Sequence, residues 1–129
     1  MAMMWLIPLA AAIEAATGLA LMISPQIVSN LLLGADLAGA GIAVARIAGA
    51  ALLSFGLVCW LGRRSADTTP VLVGLLTYNL LVTVYLIYLA FGGETTGVLL
   101  GPTIVLHVVF SLFLAYTCFN EQSSRQITK

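Results

Sequence analysis

From Leu37 to Leu61 the chain is apolar or small at every position except Arg46 and Ser54. At ~1.5 Å of rise per residue, a helix of that length crosses a hydrocarbon core of roughly 30 Å. The run stops at Arg63-Arg64, a basic boundary on one side of a membrane. Arg46 lies well inside it, where a guanidinium costs about 2.5–3.5 kcal/mol on an insertion scale. A chain with such a segment must house that residue, and the search for its partner organises the rest of the reading.

Three further apolar runs fall at about 4–23, 71–91 and 98–119. The 129 residues are 61% hydrophobic and only 8% charged, with a mean hydropathy of +1.10. A soluble domain carries about 25% charged residues, so too few are present here to coat a soluble surface. The expected fold is all-α: one polytopic membrane domain over 1–129, a four-transmembrane-helix bundle. The N-terminus lacks a basic region, and Glu14 interrupts its apolar run, so it reads as a retained span rather than a signal peptide. Net charge is zero, which offers nothing to nucleic acid or to an acidic partner.

Ser24-Pro25 opens a shorter element, with Ser24 placed to cap and Pro25 at the first helical position. Ile27, Val28, Leu31 and Leu32 fall on one side and Gln26, Ser29 and Asn30 on the other, and Gly34 can end it. Pro25 to Leu33 is too short to span, so a short amphipathic interfacial helix is expected between the first and second spans. Asp36 is a candidate cap for the second span, and Thr69 for the third. Ala11, Ala15, Gly18 and Met22 in the first span, and Ala38, Gly41, Ala45, Gly49, Leu52 and Gly56 in the second, make narrow, mostly small-residue faces suited to close helix contact. In the third span Tyr78, Leu81, Tyr85 and Tyr88 share a face, read as packing plus interfacial anchoring. The tail from Asn120 is polar and reads as frayed. Cys59 and Cys118 read as small buried hydrophobes, with no disulfide and no metal site.

Arg63, Arg64, Arg125 and Lys129 fall on one side of the membrane, and Asp36 and Glu94 on the other. The positive-inside rule then places both termini in the cytoplasm and the protein in the inner (plasma) membrane.

Each span carries one costly polar residue: Glu14, Arg46, Asn79 and His107. Counted from the outer helix ends, three of them lie roughly nine to ten residues deep, about 14 Å, and Asn79 a turn or less deeper. A shared buried cluster follows, in which Glu14 and Arg46 neutralise each other while Asn79 and His107 satisfy the remaining donors and acceptors. Tyr78 joins the set from its helix face. Thr103, His107 and Ser111, spaced four apart, form a polar stripe. Three tasks fit such a cluster: an ion pair that fixes helix register, a site for a small molecule, lipid or quinone, and a proton path. The lipid bilayer is the first expected partner, with a small hydrophobic ligand and a homo-oligomer or larger membrane complex as further ones. One histidine cannot ligate haem from both faces without a second chain. No cofactor is required, and quinone or lipid is what the site would admit. No nucleophile–base pair, phosphate loop or carboxylate pair points to an enzyme.

Leu31 to Gly34 after a Pro-led turn, Arg46 to Ala50 in the second span, Tyr78-Asn79 in the third and His107 in the fourth resemble small bacterial DoxX-like four-helix membrane proteins. That resemblance covers nearly the whole chain and implies an accessory role, in some cases beside quinone-linked redox complexes. Their arginine usually lies in the first helix, whereas this one is in the second. A membrane glutamate in the first helix, here Glu14, is similar to small multidrug-resistance exporters and implies proton-coupled transport. Arg46 and the inserted amphipathic segment depart from that pattern.

Overall fold

A computed structural model describes residues 3–93 and 97–127. Glu94, Lys129 and the Arg125 side chain lie outside the described set. Five helices follow in order: α1 Met3–Ile23, α2 Pro25–Leu33, α3 Ala40–Gly62, α4 Thr69–Gly92 and α5 Leu100–Ile127. Four are long and apolar enough to cross a membrane, and most of each faces outward, with Ile47, Leu81, Val84 and Leu112 all about two-thirds exposed or more. Outward apolar side chains on four long helices are what a lipid-facing bundle presents. Trp5, Trp60 and Tyr116 are exposed towards one end of it, and Tyr88 and Phe91 at the other. Arg63 stacks over the Trp60 ring at 4.0 Å, an amphipathic pair suited to a membrane boundary.

The helices associate as two tight pairs, α1 with α3 and α4 with α5. The first pair is antiparallel and closes on backbone. A Cβ added to Gly56 would sit 2.7 Å from the Ala11 carbonyl oxygen and the Ala15 nitrogen, and one added to Gly49 would sit 2.7 Å from the Gly18 carbonyl. The first-span face and the Gly49–Gly56 part of the second-span face are therefore the seam of this pair, whereas Gly41 meets only Leu37 and Ala38 precedes the helix.

α2 forms over its expected range as a separate element. Gly34 ends it in the left-handed conformation at φ 69°, its N–H donating to the Asn30 carbonyl. Two expected caps differ. Ser24 stands at the N-cap position but makes no side-chain capping bond. Asp36 does not cap α3, because Gly39, at φ 51°, delays that helix to Ala40. Asp36 instead accepts a 2.9 Å bond from Asn30, tying α2 to the loop that follows it. Thr69 is already inside α4, with Thr68 at the N-cap, and its N–H donates to Asp67. α5 continues as helix to Ile127 instead of fraying at Asn120; the tail holds no Gly or Pro to stop it.

The packed core is off-centre. Ile7, Ala10 and Ala11 of α1, Cys59 of α3, Leu72 and Leu75 of α4, and Phe110 and Leu114 of α5 form one buried cluster at the Arg63 end. The end carrying α2 is built differently, and the candidate site lies there.

Candidate functional site

At the α2 end the two helix pairs stand apart around a partly open cavity of about 630 Å³. Its walls are almost wholly apolar: Leu21 of α1, Leu52 of α3, Val82 and Leu86 of α4, Leu99 and Leu106 around α5. The apolar face of α2, carrying Ile27, Val28, Leu31 and Leu32, supplies the remaining wall. Local chemistry fixes α2 there. The Leu99 N–H donates 2.8 Å to the Leu31 carbonyl, and Gly97 lies against the Leu32 backbone so closely that no side chain would fit. Ser29, on the polar side of α2, is buried and donates to the Ala35 carbonyl at 2.7 Å.

The inner end of the cavity is polar. Glu14, Tyr78 and His107 line it, from α1, α4 and α5. Glu14 is 4% exposed and His107 8%. Tyr78 shares this lining with Glu14. Its ring is held between Phe55 of α3, at 5.5 Å between centroids, and the edge of His107, at 6.0 Å. All four spans thus converge on Tyr78. Beneath them a small void of about 10 Å³ touches Glu14, Asn79 and His107, room for about one water.

Asn79 orders the histidine. Its Nδ2 donates 2.9 Å to the Leu75 carbonyl one turn back, so its Oδ1 is the atom facing His107. Oδ1 and His107 Nδ1 are 2.8 Å apart. A carbonyl oxygen accepts only, so Nδ1 carries the proton. His107 Nε2 is left as an acceptor without a protein partner among the described residues.

Five of the seven residues expected from the sequence therefore meet: Glu14, Tyr78, Asn79 and His107 at the floor, and Thr103 one turn above His107 on the cavity wall. Ser111 lies on the other side of His107 along α5, buried with no hydrogen-bond partner among the described residues, as is the Thr83 hydroxyl. Arg46 does not join them. It is exposed, and the polar neighbour of Glu14 is Tyr78. The cause is helix register. With Gly56 against Ala11 and Ala15, and Gly49 against Gly18 to Met22, Arg46 falls opposite the end of α1, about nine residues or ~13 Å from the level of Glu14. Equal distance from loop ends gave equal depth only on the assumption that α3 begins at Leu37. Near the helix end a guanidinium can reach the membrane boundary on its own stem.

Phe55, Val82 and Thr17 were not expected at the site, and Leu52, expected on the helix-contact face of the second span, lines the cavity instead. Thr17 follows Glu14 by three residues on the same helix face, a spacing that could have marked it. Phe55 and Val82 carry no signal that separates a cavity wall from a lipid-facing surface.

Fold and site define a small integral membrane protein with a partly open, largely apolar cavity. Comparison with protein-family models, curated proteins and solved structures gives no match. Function must therefore rest on the site itself.

Proposed function

We propose that the protein binds a small, largely apolar molecule in the cavity between its helix pairs, with the polar end of that molecule against Glu14, Tyr78 and His107. The observation that carries this reading is the cavity of about 630 Å³ with apolar walls and a polar floor. Ligand sites of this kind measure about 300–1,000 Å³ and place a few convergent polar groups in an apolar lining. A lipid or quinone is of the right character. A buried ion pair that merely fixes register is not favoured, because Arg46 is turned away. Transport would need a route past the floor, and the cluster around Leu72, Leu75 and Leu114 fills that side, which supports binding over export. The role is then that of an accessory or ligand-holding membrane protein, in keeping with the DoxX-like resemblance. The membrane is the inner one with both termini cytoplasmic, a reading that rests on Arg63 and Arg64 in the α3–α4 loop and the basic tail.

The test is native mass spectrometry of the detergent-extracted protein beside Val82→Phe, which fills the cavity from its wall. Wild type should retain an apolar molecule that the variant loses, with unchanged thermal unfolding. The same bound species on both proteins, or none on wild type, would refute the reading.

A further inference from the structure

A second polar level stands above the floor of the cavity. Thr17 of α1 and Thr103 of α5 line the same space, each about one helical turn from Glu14 or His107 towards the α2 end. At ~1.5 Å of rise per residue they stand about 5 Å above the floor. Ser54 and Thr117, on the outward surface, donate back to the Ala50 and Phe113 carbonyls at 2.8 and 2.9 Å. No such bond ties the Thr17 or Thr103 hydroxyl among the described residues. Thr83 of α4 lies at the same level, one turn outward of the Asn79 that meets His107, and its hydroxyl is buried without a partner among the described residues. Beyond this level the lining is apolar as far as Ser24, where α1 meets α2. Unpartnered hydroxyls in an apolar space are costly unless something completes them.

Resting on the proposed binding role, we infer that the ligand carries two polar functions about one helical turn apart along its length. The inner one meets Glu14, Tyr78 and His107, the outer one meets Thr17 and Thr103, and an apolar chain continues from there beneath α2. An amphiphile with one oxygen on each side of a six-membered ring has this spacing. A hydroxyl both donates and accepts, so the threonine level selects the position of the outer group and not its hydrogen-bonding sense. A molecule with a single terminal group sets methylenes against these hydroxyls and forfeits their bonds. Two oxygens side by side both fall at the floor.

Para-decyloxyphenol, ortho-decyloxyphenol and para-undecylphenol test this. They share a phenol and a chain of equal length, and the second oxygen lies across the ring, beside the first, or is absent. Saturable binding of each is measured to the full chain in lipid nanodiscs, with uptake by empty nanodiscs of the same lipid subtracted and affinity referred to the probe concentration in the lipid. Para-decyloxyphenol should bind about tenfold tighter than the other two, the gain from one or two matched hydrogen bonds. Thr17→Val combined with Thr103→Val keeps the side-chain shape and should bring para-decyloxyphenol down to the level of para-undecylphenol, whose own binding stays unchanged. Equal binding of these two probes to wild type, or an advantage that survives both valines, would overturn the two-level head while leaving the cavity as a ligand site. No saturable binding of any of the three probes would overturn the binding role as well.

Discussion

On one side of Glu14 and His107, Leu72, Leu75 and Leu114 are fully buried in the cluster shared by all four spans. On the other, Leu21, Val82, Leu86 and Leu99 face an open cavity. The residue types hardly differ between the two halves, and neither does the helix composition. The separation of the helix pairs does. At the Arg63 end the pairs touch through their side chains. At the α2 end a fifth helix, turned back at Pro25 and pinned by Leu99 and Gly97, occupies the perimeter and leaves the space between the pairs unfilled. The buried polar residues mark the boundary between the halves. They cost least where one face is solid protein that orders them and the other is a space that a ligand or water can complete.

The same substitution should therefore mean different things in the two halves. Leu114→Ala removes a fully buried side chain from the packed cluster and should destabilise by about 3–5 kcal/mol. Leu21→Ala enlarges a space that already exists and should cost less than about 1.5 kcal/mol, since little packing is lost. Reversible unfolding in mixed micelles measures both, and equal losses would erase the distinction between the halves.

A smaller effect tests what holds the first pair together. Gly56→Leu drives a side chain into the Ala11 and Ala15 backbone and should cost about 3 kcal/mol, the upper end of overpacking penalties. Gly92→Leu, where an added Cβ meets nothing, should be close to neutral. Comparable losses at both glycines would mean that the α1–α3 seam is not set by close backbone approach.

The smallest expected effect concerns Arg46. With the guanidinium exposed and far from Glu14, Arg46→Gln should change stability by no more than about 0.5 kcal/mol. Combined with Glu14→Gln, the two effects should add within about 0.5 kcal/mol. A coupling above ~1 kcal/mol would bring the two residues back together and undo the register derived from Gly49 and Gly56.

Much of the architecture was legible because lipid leaves few choices. The spans, the break at Ser24-Pro25, the stop at Gly34 and the glycine seam all follow from patterns with one physical meaning each. The floor was legible in part, since Glu14, Tyr78, Asn79 and His107 are costly enough in a span to demand company. Depth was the weak step. Counting from loop ends placed Arg46 level with Glu14, whereas the actual level is set by which residues of α1 the α3 glycines touch, and Gly39 shifts the start of α3 besides. The cavity itself was not legible. Leu52, Val82 and Leu86 look the same in sequence whether they meet another helix, lipid or empty space, and only the distance between helix pairs tells them apart.

His107 is the single histidine of the chain, so its ring nitrogens give an unambiguous pair of ¹⁵N resonances in a bilayer sample. They test most directly whether Asn79 orders the histidine at the polar end of the cavity. A protonated Nδ1 and a bare Nε2 are expected at neutral pH, with Asn79→Leu removing the preference for Nδ1. A proton on Nε2 in the wild type, or the same tautomer in wild type and Asn79→Leu, would contradict that ordering.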